Sequence, residues 1–422
     1  MRLIGVLEAV GYAIVAGTAV EALLGLTGTW RRAVLERRAA AIETGLFERR
    51  VEMSLRRAEA ERDLAGGTWT GFRKLKVARK TLEADDIHSF ELVAHNGRPL
   101  PPFMPGQYLT FQLRIPGHSK PLVRCYSLSD APGQGDRYRI SVKKVEPPAG
   151  VDCAPGAVSS YFNDVVEEGD ILDVRAPAGA FCCDPASAQP LVLIAGGIGI
   201  TPLLSMLNAV CADPGEREIW LFYGVRNRRQ HAFAAHIAGL RRLYPSLQVV
   251  TCYSDPTADC VEGEDYDRIG RIDLEVLKAY LPSNNYAFYI CGPAPMMEVV
   301  SSDLRAWGVP SEDVRIEAFG AATVRRQPHD QPAAVPAGGF EVVFDRTERT
   351  VTWDGSLDSI LDLAERNGIA LESGCRAGHC GTCAVAIKEG VVDYIAKPVE
   401  VPERGTCLAC ISVPKSRLVL DG

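Results

Sequence analysis

Cys375-Arg376-Ala377-Gly378-His379-Cys380-Gly381-Thr382-Cys383 places three thiols in nine residues, and a fourth candidate, Cys410, follows in Leu408-Ala409-Cys410-Ile411. A gap of four, a gap of two and one distant cysteine is the spacing of a [2Fe–2S] site, with Cys375, Cys380, Cys383 and Cys410 as its metal ligands. Each of the two irons takes tetrahedral sulfur, so four thiolates are needed, and small residues between them let the loop fold tightly. Gly374, Gly378 and Gly381 stand where such a loop needs unusual dihedrals. A structural zinc site is the competing reading, but it normally shows paired CxxC knuckles or Cys/His pairs, and here the last ligand is alone. Cys407 competes with Cys410 for the fourth position.

The surrounding chain has 422 residues, 47% of them hydrophobic and 23% charged, which is ordinary globular material for about three domains. Its thirteen cysteines are scattered, several in apolar runs such as Phe181-Cys182-Cys183, and read as reduced thiols facing the cytoplasm, not as a secreted disulfide framework. A net charge of −7 leaves no electrostatic footprint for nucleic acid.

Residues 1–30 differ in kind from the rest. Leu3 to Trp30 is apolar except for Glu8 and Glu21 and closes on Arg31-Arg32, long enough for a transmembrane helix. Ala9, Ala13, Gly17, Glu21 and Gly25 share one i, i+4 row, the small-residue ridge of close helix packing in membranes, so Glu21 is expected to face protein. Arginines follow the span and only Arg2 precedes it, which orients the bulk of the chain to the cytoplasm. Residues 31–70 read as a charged linker helix ending at Gly66-Gly67.

From 71 to 185 the periodicity becomes that of short strands, at Phe72–Lys80, Ile87–Ala94, Gln107–Leu113, Tyr138–Lys144 and Ile171–Arg175, as in a small antiparallel β-barrel. From 186 to 320 apolar strands alternate with helices (Leu191–Ala195, Glu218–Gly224, Leu247–Tyr253, Ala287–Cys291), which indicates a parallel α/β sheet. An Ala/Pro/Gly-rich linker at 321–339 leads into a last domain, 340–422.

The barrel carries Arg124-Cys125-Tyr126-Ser127-Leu128-Ser129. Strand alternation sends Arg124 and Tyr126 to one side and Cys125 and Ser127 to the other. A guanidinium can fork onto a phosphate, an aromatic ring can cover an isoalloxazine, and a hydroxyl can bond a flavin near its reactive nitrogen. Gly156-Ala157-Val158-Ser159-Ser160-Tyr161 reads as a helix start whose amides can hold a phosphate. The α/β region opens with Ala195-Gly196-Gly197-Ile198-Gly199-Ile200-Thr201-Pro202, a glycine turn that lets backbone approach a pyrophosphate, and a later strand ends in Cys291-Gly292-Pro293. Both loops fall at carboxyl ends of strands, where α/β sheets bind ligands.

In this order the phrases RxYS, GGxGxTP and CGP resemble the ferredoxin–NADP⁺ reductase superfamily over about 72–320, and the cysteine motif resembles plant-type ferredoxins over about 340–422. The domain order resembles that of phthalate dioxygenase reductase and phenylacetyl-CoA epoxidase reductase, and the wording of the barrel and of Tyr223-Gly224-Val225-Arg226-Asn227 is similar to the reductase half of flavohaemoglobins, without a globin. The resemblance implies an α+β (β-grasp) ferredoxin domain and, from the phrase LACI, Cys410 as the last ligand. It also implies Arg124, Tyr126 and Ser127 at the flavin, Ser159 and Ser160 near its phosphate, and Cys291 beside the nicotinamide ring. Glu317 and Phe319, in Ile316-Glu317-Ala318-Phe319-Gly320, resemble the segment that returns to the flavin. FAD is favoured, although FMN fits the same phrases. No acid follows the strand ending at Tyr223, and Arg226, Arg228 and Arg229 stand ready for a 2′-phosphate, which leans the cofactor toward NADPH over NADH.

The expected function is an NAD(P)H-dependent electron-transfer reductase in which Ser127, Cys291 and Glu317 attend the hydride step. Electrons then leave through the cluster to a partner oxygenase, desaturase or cytochrome, membrane-bound like the reductase itself. The competing class is a redox-sensing flavin/iron–sulfur module that signals through its N-terminal helices.

Overall fold

The computed structural model describes Trp69, residues 71–319 apart from 119–120, 134–135, 148–153 and 213–216, and residues 336–422 apart from 337, 375, 377, 379–380, 396–397 and 399–401. The expected span at 3–30 and the charged helix at 31–70, Trp69 excepted, lie outside the described residues, as do Cys375, Cys380 and most of the 321–339 linker. Among the described residues no helix is long and apolar enough to cross a membrane.

Strands β1 (Arg73–Ala84), β2 (Ile87–Ala94), β3 (Tyr108–Leu113), β4 (Leu122–Ser127), β5 (Arg137–Lys143) and β6 (Ile171–Ala178) form an antiparallel sheet in the order β4-β3-β6-β1-β2-β5. Leu128 bridges Ile140, and the Ser129 N–H donates to the Arg139 carbonyl at 2.8 Å, so the two edge strands meet and the sheet curls into a barrel. Alternate residues point inward: Leu75 and Val77, Leu109 and Phe111, Ile140 and Val142 are all buried. Helix α1 (Ala157–Asp164) inserts Phe162 among them, with its ring edge-on to Phe90, Phe111 and Tyr126 at centroid distances of 5.3, 5.4 and 5.1 Å. Fully burying such a ring stabilises by about 1.5–3 kcal/mol, and here it also fixes the side of Tyr126.

Six parallel strands follow: β7 (Leu191–Gly196), β8 (Ile219–Val225), β9 (Leu247–Tyr253), β10 (Arg268–Ile269), β11 (Ala287–Cys291) and β12 (Val314–Glu317), in the order β10-β9-β8-β7-β11-β12. Strand β7 is buried along its whole length because helices cover both faces. Helices α2 (Ile200–Cys211) and α3 (Ala234–Leu243) lay Leu203, Leu207 and Ile237 on one face; α4 (Leu274–Tyr280) and α5 (Ala294–Ala306) lay Leu277, Val300 and Leu304 on the other. The chain moves from β7 outward through β8 and β9, then returns to β7's opposite side at β11. That reversal opens a crevice above the carboxyl ends of β7 and β11.

The last unit is a mixed sheet of β13 (Phe340–Phe344), β14 (Arg349–Trp353), β15 (Ala384–Glu389), β17 (Thr406–Leu408) and β19 (Leu418–Leu420), in the order β14-β13-β19-β15-β17, beside a pair of β16 (Val392–Tyr394) and β18 (Ser412–Pro414). Helix α6 (Ile360–Arg366) packs Ile360, Leu361 and Leu363 into its core. Ser359 caps that helix, its Oγ accepting from the Asp362 N–H at 3.2 Å and donating to the Asp362 carboxylate at 2.7 Å.

Candidate functional site

Arg124 and Tyr126 lie on β4, paired through the sheet with Phe111 and Leu109 of β3. The Arg124 guanidinium donates from Nη1 to the Val123 carbonyl at 2.7 Å. Burial, and then the nearby Arg376 guanidinium, pull its pKa below the ordinary value, as happens to a cation held without enough anion nearby. Arg376, from the cysteine loop, pairs with Glu365, while its Nε is buried without a hydrogen-bond partner. Two crowded guanidiniums served by one carboxylate fit a phosphate group. Ser127, at the end of β4, is buried.

The two serines of the helix start divide. Ser159 serves the fold itself, because its Oγ donates to the Gly156 carbonyl at 3.0 Å and accepts from the Val145 N–H at 3.1 Å, which ties the loop to α1. Ser159 thus stands at the helix start, where the resemblance puts it near the phosphate, with its hydroxyl engaged by backbone. Ser160 keeps a buried Oγ with no hydrogen-bond partner, so it remains the serine suited to a ligand.

In the α/β unit the two glycine-bearing turns touch. A Cβ on Gly199 would stand 2.3 Å from the Cys291 carbonyl oxygen, and one on Gly292 would stand 2.7 Å from Met296 Cε and 2.9 Å from Gly196 Cα. Gly197, at φ +52, faces open space. The glycines therefore let two turns close on each other and leave bare backbone at the crevice. Pro293 precedes α5 as its N-cap. Thr201 turns inward, its hydroxyl donating to the Ile198 carbonyl at 3.1 Å, and so shapes the turn and does not face a ligand.

Cys291 and Glu317 are register partners at the ends of β11 and β12. Both are buried, and one Glu317 carboxylate oxygen, Oε2, lacks a hydrogen-bond partner. Desolvation pushes the Glu317 pKa up to about 8 and holds the Cys291 thiol well above its usual range, so both are neutral at pH 7. Cys182 joins them: burial and the Glu317 charge push its thiol to about 12, and the Tyr289 hydroxyl donates to its carbonyl at 3.1 Å. Its position in Phe181-Cys182-Cys183 gave the sequence no motif to flag it. Phe319 is 38% exposed beyond β12, an aromatic surface open to a ligand.

Arg226, Arg228 and Arg229 sit at the exit of β8 as expected, but two of them are engaged. Arg226 pairs with Asp255 at 2.9 Å and Arg228 forks onto Asp265 at 2.9 and 2.8 Å. Both pairs hold arginines that the sequence reading offered to a 2′-phosphate.

At the cysteine motif, Cys383 and Cys410 are buried with their Sγ atoms 3.1 Å apart, too far for a disulfide and close enough to serve one metal centre. Cys407 is buried on β17, where burial pushes its thiol to about 12, whereas it is Cys410 that stands beside Cys383, as the resemblance implies for the last ligand. A Cβ on Gly378, at φ +74, would collide with Ile411 at 2.4 Å, which shows how closely the loop lies over the Cys410 segment. Cys375 and Cys380 lie outside the described residues. The two described thiols, Cys383 and Cys410, and the close approach of Gly378 to Ile411 fit the cluster.

Comparison with known proteins follows the same division. Residues 74–182 match the oxidoreductase FAD-binding domain, 193–302 the oxidoreductase NAD-binding domain and 342–415 the 2Fe-2S iron-sulfur cluster binding domain. The flavohemoprotein of Bacillus cereus is 41% identical over 256 residues, 61% of this chain and 63% of that protein, and that of Bordetella pertussis is 38% identical over 276 residues, 65% and 66%. The chain thus spans less than two thirds of the length of these curated relatives. Among solved structures, the FAD/NAD-binding domain of nitric oxide dioxygenase from Vibrio cholerae is 32% identical with a TM-score of 0.53, covering 59% of this chain and 99% of its own. Phthalate dioxygenase reductase, described as a modular structure for electron transfer from pyridine nucleotides to [2Fe-2S], is 30% identical with a TM-score of 0.52, covering 83% of this chain and 98% of its own. With all three domains matched in that order, the chain belongs to the family of flavin-, nicotinamide- and [2Fe–2S]-binding oxidoreductases that includes phthalate dioxygenase reductase.

Proposed function

We propose that this chain draws electrons from NAD(P)H and passes them, through FAD and the [2Fe–2S] cluster, to a separate acceptor protein of the oxygenase, desaturase or cytochrome kind. The observation that carries this reading is the joined crevice: turns from β7 and β11 in mutual contact, Cys291 and Glu317 neutral beneath them, and a cysteine loop whose Arg376 reaches the field of Arg124. When bound, the cofactors supply the chemistry, converting a two-electron hydride donor into single-electron delivery. The chain supplies position and charge. Gly196, Gly197 and Gly292 keep backbone against the nucleotide, Arg124 and Ser160 meet the flavin phosphate, and Glu317 holds a proton at its carboxyl at neutral pH. The Ser205 hydroxyl donates to the Asp130 carbonyl at 2.7 Å and the Asp85 N–H to the Arg229 carbonyl at 3.1 Å, ties that hold the barrel against the nicotinamide unit.

A type IV self-sufficient cytochrome P450 monooxygenase, 25% identical with a TM-score of 0.57, has 83% of this chain's length matched within 41% of its own. Such a fusion supports a monooxygenase-type acceptor for this reductase. The apolar stretch Leu3 to Trp30 supports tethering beside a membrane-bound acceptor, which raises its effective concentration. The decisive experiment is Cys380→Ser. The variant should lose iron–sulfur absorption and most cytochrome c reduction while keeping NAD(P)H–ferricyanide activity; undiminished cytochrome c reduction would show that electrons leave by another route.

A further inference from the structure

Gly196 of β7 pairs with Gly224 of β8, so the β8 exit, Arg226-Asn227-Arg228-Arg229, begins two residues from the nucleotide turn. At this place an α/β nucleotide site reads the ribose: a carboxylate suits a 2′-hydroxyl and an arginine suits a 2′-phosphate. Both kinds of residue are present, held against each other. The Ser254 and Asp255 N–H groups donate to the Val225 and Arg226 carbonyls at 3.0 and 2.9 Å, which sets Asp255 facing Arg226. That pair is 63% exposed on both sides and easily rearranged.

The Arg228–Asp265 pair is of another kind. Its hydrogen bonds are parallel and bidentate, and the Asp265 side chain is only 14% exposed. The same carboxylate also accepts the Val261 N–H at 2.9 Å, so its position is fixed by its own loop. A cavity of about 350 Å³ beside the pair has three acids, Glu264, Asp265 and Asp267, and two arginines, Arg228 and Arg241, in its lining. The whole β9 exit, Asp255 to Asp267, holds six acidic residues and no lysine or arginine. A 2′-phosphate entering here would find Arg226 and Arg228 already ion-paired, only Arg229 of the β8 exit outside these pairs, and the acids of the β9 exit around it.

We propose that Asp265, assisted by Asp255, is the specificity-determining residue that makes this chain select NADH over NADPH. Asp265 withdraws Arg228 from any 2′-phosphate and sets a fixed carboxylate beside the arginine that such a dianion would need. The inference rests on reading the crevice as the nicotinamide nucleotide site, and it reverses the preference that the arginines alone suggest.

The test uses the full chain with ferricyanide as acceptor and compares kcat/KM for NADH and NADPH in wild type, Asp265→Asn and Asp265→Asn/Arg228→Ala. Calorimetric binding of 5′-AMP and 2′,5′-ADP is measured alongside. Wild type should favour NADH by roughly tenfold or more and bind 5′-AMP more tightly than 2′,5′-ADP, since one charge-assisted contact carries about that factor. Asp265→Asn should shift the ratio toward NADPH by a similar factor, carried by the KM for NADPH, and the added Arg228→Ala should cancel the gain. A purely structural role for Asp265 would move both nucleotides alike and so overturn the proposal. Equal use of the two nucleotides by wild type would overturn it as well. If Asp265→Asn does not fold, the wild-type binding comparison decides, with 2′,5′-ADP bound as tightly as 5′-AMP being the contrary result. Absence of ferricyanide reduction with either nucleotide would instead sink the reductase reading, and the binding arm would still judge Asp265.

Discussion

Glu317 shows how one buried carboxyl links stability to the site. Unfolded, it titrates near about 4.3; folded, desolvation raises it to about 8. Between those values the folded state holds a proton that the unfolded chain has released, so its contribution is fully present below the lower value and is lost as pH rises toward the upper. Glu317→Gln should therefore flatten the fall in melting temperature of the flavin-loaded protein between roughly pH 5 and 8, since the amide has no charge to bury. Melting curves that shift in parallel for the two proteins across that range would exclude the assignment. Cys291 responds differently, because its thiol is already neutral throughout that range.

At the scale of elements, the touching turns of β7 and β11 make the sharpest demand. Gly199→Ala would drive a methyl into the Cys291 carbonyl, and backbone cannot yield as a flexible side chain can. Separating the turns should cost about 1–3 kcal/mol of stability. It should also raise the KM for the pyridine nucleotide about tenfold or more while flavin content stays at wild-type level, because the flavin residues sit on the barrel. Equal loss of flavin and nucleotide binding would argue against separate sites. These turns were legible in the sequence because a glycine pattern at a strand end has few other uses, and the barrel and parallel sheet were legible from period-2 strands and strand–helix alternation. The Arg228–Asp265 pair was not, since its members are 37 positions apart and only the β8–β9 pairing joins them. Nor was the Ser159 clip: in Ser159-Ser160 the sequence offers two equal hydroxyls, and the helix phase alone decides which turns back to Val145.

For the whole molecule, the division into flavin, nicotinamide and cluster units implies that catalysis by the first two is independent of the N-terminal stretch. Removing the residues before Gly66 should yield a protein that stays in the supernatant without detergent and keeps NAD(P)H–ferricyanide activity, while transfer to the natural acceptor slows. Full-length protein that also fractionates without detergent would remove the case for a tether. The cluster unit has a further property in the order of its strands. Strand β19 lies between β13, the first strand of that unit, and β15. The four candidate ligands, Cys375, Cys380, Cys383 and Cys410, therefore all precede in the chain the strand that completes the sheet over Cys383 and Cys410. Any change that keeps β19 out of the sheet should therefore leave the Cys383 and Cys410 thiols open to solvent and lower the share of protein that carries the cluster.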